Sequence, residues 1–403
     1  MDITDNKLSP LFDTLVELRD KGCFYQYAED TEINGRTMDI NGRKLLNFAN
    51  CSYLGLEIHP LLKEGAIQAT KTYGTLFAYS RAIVSSKLYI QLEDLLKQIY
   101  PGHIVVAPTT TLGHCSTFPL LIHKDDAIIL DTFAHNSMFM ASQLCKANGT
   151  FVVMCKHNDM EHLKYLIHRL KKDKYKNIWY CADGVYSMQG DLAPLKEIKK
   201  ILDEEEQFYS IIDDAHGVTW TGKYGSGYAL GDHDLHPKMI VAASLAKSFG
   251  SCGVTMVFPN KEWAELVRSL GHGLVYSGPI SPPILGAAIA SAKLHLSDEL
   301  VTMQNELMCL IKYYRRKSIE LGLPLKTKYE VPIQMFNIGN QDKTCKILEE
   351  LMAGGYFATG VLYPAVPECD SGLRISITLH HKKEDLDCLL IYLKKLFRKY
   401  SII

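Results

Sequence analysis

The sequence predicts an α/β protein: a large, mainly parallel seven-stranded sheet domain followed by a smaller C-terminal α/β domain. Three observations predict it. Seven short, nearly continuous apolar runs occur at 104–108, 127–131, 151–155, 178–182, 209–213, 238–243 and 253–258, and amphipathic stretches such as 160–173 and 194–206 separate the early ones. Strands buried on both faces read as such runs, and helices over both faces go with parallel order. The length, 403 residues, suits one large body with a smaller satellite. From residue 284 the composition turns helical and small, and a second α/β unit follows.

In chain order, residues 8–22 carry Leu11, Leu15 and Leu18 at helical spacing. Residues 29–47 are polar and punctuated by Asn-Gly pairs, the pattern of a small hairpin. Residues 60–285 form the large domain. A long helix spanning about 285–320 carries the boundary. Strand 332–338, helix 342–354, strand 373–378 and helix 383–398 complete the small domain over 286–403. Residues 1–59 read as an N-terminal arm. The basic stretch KKLFRKY near the end reads as a solvated helix face.

Lys and Arg total 44 against 45 Asp and Glu, a net charge of −1, so no global positive field favours nucleic acid. Hydrophobic residues at 47% and charged residues at 22% exclude a disordered chain. The eleven cysteines form no C-x-x-C pair and most lie in apolar runs, which predicts buried, reduced thiols rather than disulfides or a metal site. The opening MDITDNKLSPLF lacks a basic segment followed by an apolar one, and no apolar run is long enough to span a bilayer. A cytoplasmic location is expected.

Function in such sheets gathers beyond the carboxyl ends of the strands. Thr109–Thr111, Asp131, Asp183, Asp213 and Ser244 all end apolar runs there. Lys247, in VAASLAKSFG, follows a strand among small residues. A desolvated lysine suits Schiff-base chemistry, yet a lone lysine after a strand is more often structural. Asp213 and Asp214, in YSIIDDAHG, face opposite ways in extended chain. One can meet a pyridinium nitrogen, or the pair with His216 can be a helix cap and a satisfied histidine. His135, in DTFAHNS, could stack on a flat ring or be locally bonded. PTTTLGHCST leads into a helix whose amides favour a phosphate, although it matches no named phosphate loop.

Taken in order, these segments resemble the α-oxoamine synthases, a family of fold type I pyridoxal 5′-phosphate (PLP) enzymes that includes aminolevulinate synthase, aminooxononanoate synthase, aminoketobutyrate CoA ligase and serine palmitoyltransferase. The resemblance runs from about 45 to 392. It is carried by NFANCSYLGL, YGTLFAYSRAI, LEDLL, DTFAHNS, DGVYSMQGDLAPL, DDAHG, SLAKSFG and GVLYPAVPECDSGLRISITLHH. It implies PLP as cofactor and Lys247 as the Schiff-base lysine and proton-transfer base. It implies Asp213 at the pyridinium nitrogen, His216 and Ser187 at the phenolic oxygen, and His135 on the ring face. Thr110 and Thr111 would hold the phosphate with their amides, Ser244 with its hydroxyl, and Ser277 would reach the phosphate across a homodimer interface. Arg374, assisted by Asn50, would take the amino-acid carboxylate. The implied reaction condenses an amino acid with an acyl-CoA, or an acyl carrier protein, losing carbon dioxide to give an α-aminoketone.

Several residues depart from the family pattern. His114 replaces an asparagine, Ser85 a glycine and Tyr89 a histidine, while Gly278 follows Ser277 where a hydroxyl residue is usual. Leu362 stands where some members carry arginine. These changes favour an outlying branch, and DTFAHNS and ASLAK are close to the autoinducer synthases; sphingoid-base and secondary-metabolite synthesis are further settings. The alternative is another fold type I PLP enzyme, an aminotransferase or lyase, that uses no acyl-CoA. A non-catalytic partner subunit is disfavoured because Lys247, Asp213, His135 and His216 are all present.

Overall fold

The computed structural model describes residues 9–231 and 234–403, with side chains from Phe12 onward. The first eight residues, on which the signal-peptide reading rests, and the Leu11 side chain lie outside the described residues. The described chain opens with α1 (Ser9–Asp20) and the hairpin β1 (Thr37–Ile40) to β2 (Arg43–Asn47), then α2 (Pro60–Tyr73) and α3 (Lys87–Ile99). Next come β3 (His103–Ala107), α4 (Thr110–Leu121), β4 (Ala127–Asp131), α5 (Asn136–Ala147), β5 (Phe151–Cys155) and α6 (Met160–Lys172). They are followed by β6 (Ile178–Asp183), α7 (Leu195–Glu204), β7 (Phe208–Asp213), β8 (Met239–Ser244) and β9 (Val254–Phe258). Helices α8 (Lys261–Leu270), α9 (His272–Val275), α10 (Pro282–His295) and α11 (Asp298–Glu320) lead to β10 (Ile333–Asn337), α12 (Gln341–Ala353), β11 (Tyr356–Phe357), β12 (Thr359–Val361), β13 (Gly372–Ser376) and α13 (Lys383–Lys399).

The chain divides into two units. The larger holds Leu56–Ser187 and Leu192–Gln304. Its seven strands run in the order β3-β9-β8-β7-β6-β4-β5. The β8-β7-β6-β4-β5 pairings are parallel, and only β9 runs against its neighbours β3 and β8. Side chains alternate between two apolar layers, as the two-residue period of a strand requires. Ile178, Tyr180 and Ala182 enter one layer, and Trp179 and Cys181 the other. Every residue of β4, β6, β8 and β9 is buried, whereas edge strand β5 is half open, which is why the central runs read as unbroken apolar segments.

The smaller unit joins the described residues up to Gly55 with Met188–Asp191 and Asn305–Ile403. In one of its sheets β2 pairs antiparallel with β1 and parallel with β11. In the other, β13 lies between β10 and β12. The hairpin turn is Asn41-Gly42, both at positive φ (51° and 67°), the geometry that closes two-residue hairpins. In α13, Leu393, Leu396 and Phe397 are buried while Lys395, Arg398 and Lys399 are exposed.

This division differs from the expected one in two ways. Residues 1–59 are not a separate arm. The amide of Ser376 donates to the Phe48 carbonyl (2.7 Å) and β2 pairs with β11, so the described part through Gly55 is woven into the C-terminal unit. The switch between units falls inside α11, at 304/305, rather than at 285. Helix α10 stays with the large unit because it crosses α2 at Gly65 and Gly286. A Cβ on Gly286 would stand 2.2 Å from the Gly65 carbonyl oxygen, so only paired glycines allow that approach. The cysteines are all free, and only Cys145, Cys155, Cys181 and Cys345 are buried, fewer than the apolar runs predict. Among the described residues no helix is long and apolar enough to cross a membrane, and no cluster of acidic, histidine or cysteine side chains could hold a metal ion.

Candidate active site

A cavity of about 260 Å³ opens at the carboxyl edge of the large sheet. Strand β3 delivers Thr109, Thr110 and Thr111, β6 delivers Asp183, β7 delivers Asp213, Ala215 and His216, and β8 delivers Ser244, Ala246 and Lys247. His135 enters from the end of β4. Because β9 is antiparallel, its leading residues Cys252 and Gly253 reach the same edge.

Each wall has a local cause. Thr109 caps α4: its hydroxyl accepts the Leu112 amide (3.1 Å). The amides of Thr110 and Thr111 open that helix and have no intrahelical acceptor, which makes them an anion cradle. His135 caps α5 with Nδ1 and donates its own amide to Asp183 Oδ1 (2.8 Å). Burial lowers the His135 pKa, the Asp213 carboxylate opposes this, and the Lys247 ammonium reinforces it. Ser244 is buried and its hydroxyl accepts the Ala246 amide (3.2 Å). Lys247 follows with φ +53°, a left-handed conformation uncommon for a side-chain-bearing residue.

The paired acids separate as alternation demands. Asp213 lines the cavity and accepts the Ala215 amide (3.0 Å). Asp214 turns away into a cradle of glycines and accepts the Ala229 amide (2.8 Å). Its carboxyl is pushed up to about 8, first by burial. Asp183 faces Asp213 across the β6–β7 register, and burial followed by that neighbouring carboxylate raises its pKa.

Of the residues expected from the sequence, Lys247, Asp213, His216, His135, Thr110, Thr111 and Ser244 come together in this cavity. Asp131 does not line it. Its carboxylate accepts from the Phe133 and Asn158 amides (2.8 and 2.9 Å) and lies 2.9 Å from His157 Nδ1. Burial raises the Asp131 pKa, but these bonds outweigh it and leave the carboxyl below its ordinary value. Ser187 lies on the turn beyond β6, outside the lining. Ser277 donates to the Gly273 carbonyl (2.5 Å) and is also outside it.

Arg374 and Asn50 belong to the smaller unit. Arg374 is buried on the central strand β13. It donates from Nη2 to Cys51 Sγ (3.4 Å). The Asn50 carboxamide accepts the Ser52 amide (2.8 Å), a local turn contact. Sequence reasoning missed Cys51 and Cys252; neither residue type signals such a place by itself.

Two departures from the family pattern have packing roles. The Tyr89 hydroxyl accepts the Ile280 amide (2.8 Å), and the Arg81 guanidinium stacks 3.7 Å from its ring. Leu362 is fully buried against Leu18 and Cys345. Two more are permissive. Ser85 is exposed, and a Cβ on Gly278 would meet nothing within 4 Å.

The family model for aminotransferase class I and II matches residues 43–393. The chain is 31% identical over 393 residues to an 8-amino-7-oxononanoate synthase of Thermoanaerobacter pseudethanolicus, covering 96% of this chain and 97% of that one. It is 29% identical over 377 residues to a serine palmitoyltransferase of Bacteriovorax stolpii, covering 93% and 87%. In three dimensions it is similar to a serine palmitoyltransferase from S. paucimobilis with a bound PLP–myriocin adduct, at TM-score 0.90 and 21% identity over the whole of both chains.

Proposed function

Because this chain belongs to the aminotransferase class I and II family and, within it, to the α-oxoamine synthases, we propose that its sheet-edge cavity holds PLP for the condensation of a small amino acid with an acyl thioester. The protein is a PLP-dependent acyltransferase of that family. The observation that carries the site is the convergence of Lys247, Asp213, His135, His216 and the leading amides of α4 on one cavity.

The donor set fits the cofactor. A helix N-terminus suits a phosphate. A buried carboxylate that lines the cavity suits a ring nitrogen that carries a proton. The His135 imidazole suits a flat ring face, and an amine on a partly buried strand end suits a carbonyl carbon. When bound, PLP supplies that electrophilic carbon and an electron sink conjugated with it.

Lys247 would be the amine that meets this carbon and the base that moves the substrate α-proton. Asp213 holds the proton at the ring nitrogen and so keeps the sink electron-poor. His135 covers one face and excludes water from it. His216, beside Asp213 on the same loop, orients the ring's oxygen substituent, and Ser187 assists. Thr110, Thr111 and Ser244 anchor the phosphate. Arg374, desolvated and planar, pairs with the substrate carboxylate in two parallel bonds.

The working form is a homodimer, with Ser277 of each chain reaching the other's phosphate. Leu76 (59% exposed), Tyr79 (54%), Ile83 (82%) and Tyr276 (80%) supply an apolar surface for it, and Ser80 joins the two segments by donating to the Val275 carbonyl (2.9 Å). Eleven free thiols suit the reducing cytoplasm.

The test is thiol release by the purified, PLP-loaded protein. Glycine, alanine, serine and aminobutyrate are crossed with acyl-CoAs from acetyl to palmitoyl, with Lys247→Ala as the blank. Release that needs both substrates and Lys247 is expected. Transamination of a keto acid without thiol release would overturn the reading.

A further inference from the structure

His114 is fully buried, and its Nε2 has no hydrogen-bond partner among the described residues. That nitrogen lies 3.9 Å from Asp213 Oδ2. The other ring nitrogen, Nδ1, lies 3.0 Å from the Ser137 hydroxyl, which in turn lies 2.7 Å from His135 Nδ1. A line of polar groups therefore runs from His135, on the cavity wall, through Ser137 to His114, whose Nε2 ends 3.9 Å from Asp213. A buried polar atom left unpaired is costly, so its position beside a carboxylate calls for an explanation.

We propose that His114 is a positioning residue for Asp213, holding one proton between its Nε2 and the Asp213 carboxylate, and that Ser137 fixes which ring nitrogen does so. This rests on the reading of Asp213 as the carboxylate that meets the cofactor's ring nitrogen.

The hydrogen-bond inventory assigns the protons. The Ser137 amide donates to His135 Nδ1 (3.2 Å) as the cap of α5, so that nitrogen is an acceptor. The Ser137 hydroxyl, beside the same lone pair, then donates there too and keeps its oxygen free to accept. His114 Nδ1 must be the donor to that oxygen. A neutral ring protonated at Nδ1 bears its lone pair at Nε2, pointing at the Asp213 oxygen. Two lone pairs facing each other in a dry site repel, and one shared proton turns the repulsion into a hydrogen bond. Burial pulls the His114 pKa down, the Asp213 carboxylate pulls it up, and His135 on the far side lowers it again. Asp183 and Lys247 are the other charged groups of the cavity lining. The His114–Asp213 pair fixes the rotamer of Asp213 while leaving its inner oxygen toward the cavity. An asparagine, the residue the family pattern places here, has no second ring nitrogen through which Ser137 could act.

The experiment combines histidine ¹⁵N NMR of the cofactor-free protein with PLP titration by fluorescence and absorbance, for wild type, His114→Gln, His114→Leu and Ser137→Ala. In wild type the His114 ring should show protonated Nδ1, and Ser137→Ala should abolish that preference. PLP binding should weaken about tenfold or more in His114→Leu and stay within about threefold of wild type in His114→Gln, whose amide can still donate to Asp213. The pH dependence of the bound cofactor's absorption should shift in the leucine variant alone. Unchanged PLP affinity in a folded His114→Leu protein would overturn the proposal. So would a wild-type ring protonated only at Nε2 and indifferent to Ser137→Ala, a result that stands even where the leucine variant does not fold. A wild-type protein that fails to bind PLP would instead overturn the functional reading, with the NMR result still deciding the role of His114.

Discussion

Lys247 has φ +53° and no glycine's freedom to adopt it at low cost. Left-handed backbone costs a residue with a Cβ about 1–2 kcal/mol, a strain that structures retain where function requires a side chain in that place. Lys247→Ala and Lys247→Gly should both lose turnover, and the glycine variant should be the more stable by about 1 kcal/mol in urea. Equal stability would show that the surrounding loop, not the residue, bears the strain. Asp214 makes a second residue-level prediction. Its folded pKa of about 8 lies above the ordinary carboxylate value, so between about pH 4 and 8 the folded state binds a proton that the unfolded chain has released. Stability from this group is full below that window and lost as pH rises through it. Asp214→Asn should flatten the fall in unfolding free energy between pH 5 and 8 by an amount on the order of a few kcal/mol. Parallel wild-type and variant curves would refute it. The opposed directions of Asp213 and Asp214 were legible from strand alternation alone. The contact between His114 and Asp213 was not, because it joins a helix to a strand a hundred residues away and no local pattern encodes it.

At the scale of elements, the first turn of α4 does two jobs. Thr109 closes the helix with its hydroxyl, and Thr110 and Thr111 behind it line the cavity. Thr109→Ala should cost about 1 kcal/mol of stability, the usual loss for a removed cap. It should also weaken PLP binding, because the amides of Thr110 and Thr111 lose their fixed aim. Measured PLP affinity unchanged beside the lost stability would assign Thr109 to folding alone. The strands were legible as apolar runs because the sheet buries both faces. The reversed direction of β9 was not, since an antiparallel strand inside a buried sheet has the same composition as its parallel neighbours. That reversal brings Cys252 to the cavity. Likewise the N-x-x-Y-L-G spacing points to Asn50 but carries no trace of Cys51, whose thiol accepts from Arg374.

At the scale of the whole molecule, sequence order misleads about which parts fold together. The hairpin near residue 40 and the strand near 357 form one sheet, a pairing that depends on contacts three hundred residues apart and leaves no periodic trace in either segment. The segment 75–85 is different, because its oddity is compositional: Leu76, Tyr79, Ile83 and Val84 are all exposed. With Tyr276 beside them they form an apolar surface that a lone soluble chain rarely presents. A stable dimer buries about 1,200–2,000 Å² in total, with its apolar anchors near the centre. Ile83, 82% exposed, is the residue where a charge should act most strongly on association and least on the fold of one chain. In sedimentation the wild type should run as a dimer and Ile83→Asp should shift to monomer at low micromolar concentration, with its far-UV circular dichroism retained. Because Ser277 sits next to Tyr276 on this surface, the monomer should also bind PLP more weakly and release no thiol. A monomeric Ile83→Asp protein with full activity would place the whole site within one chain. An Ile83→Asp protein that remains dimeric would move the interface to another face.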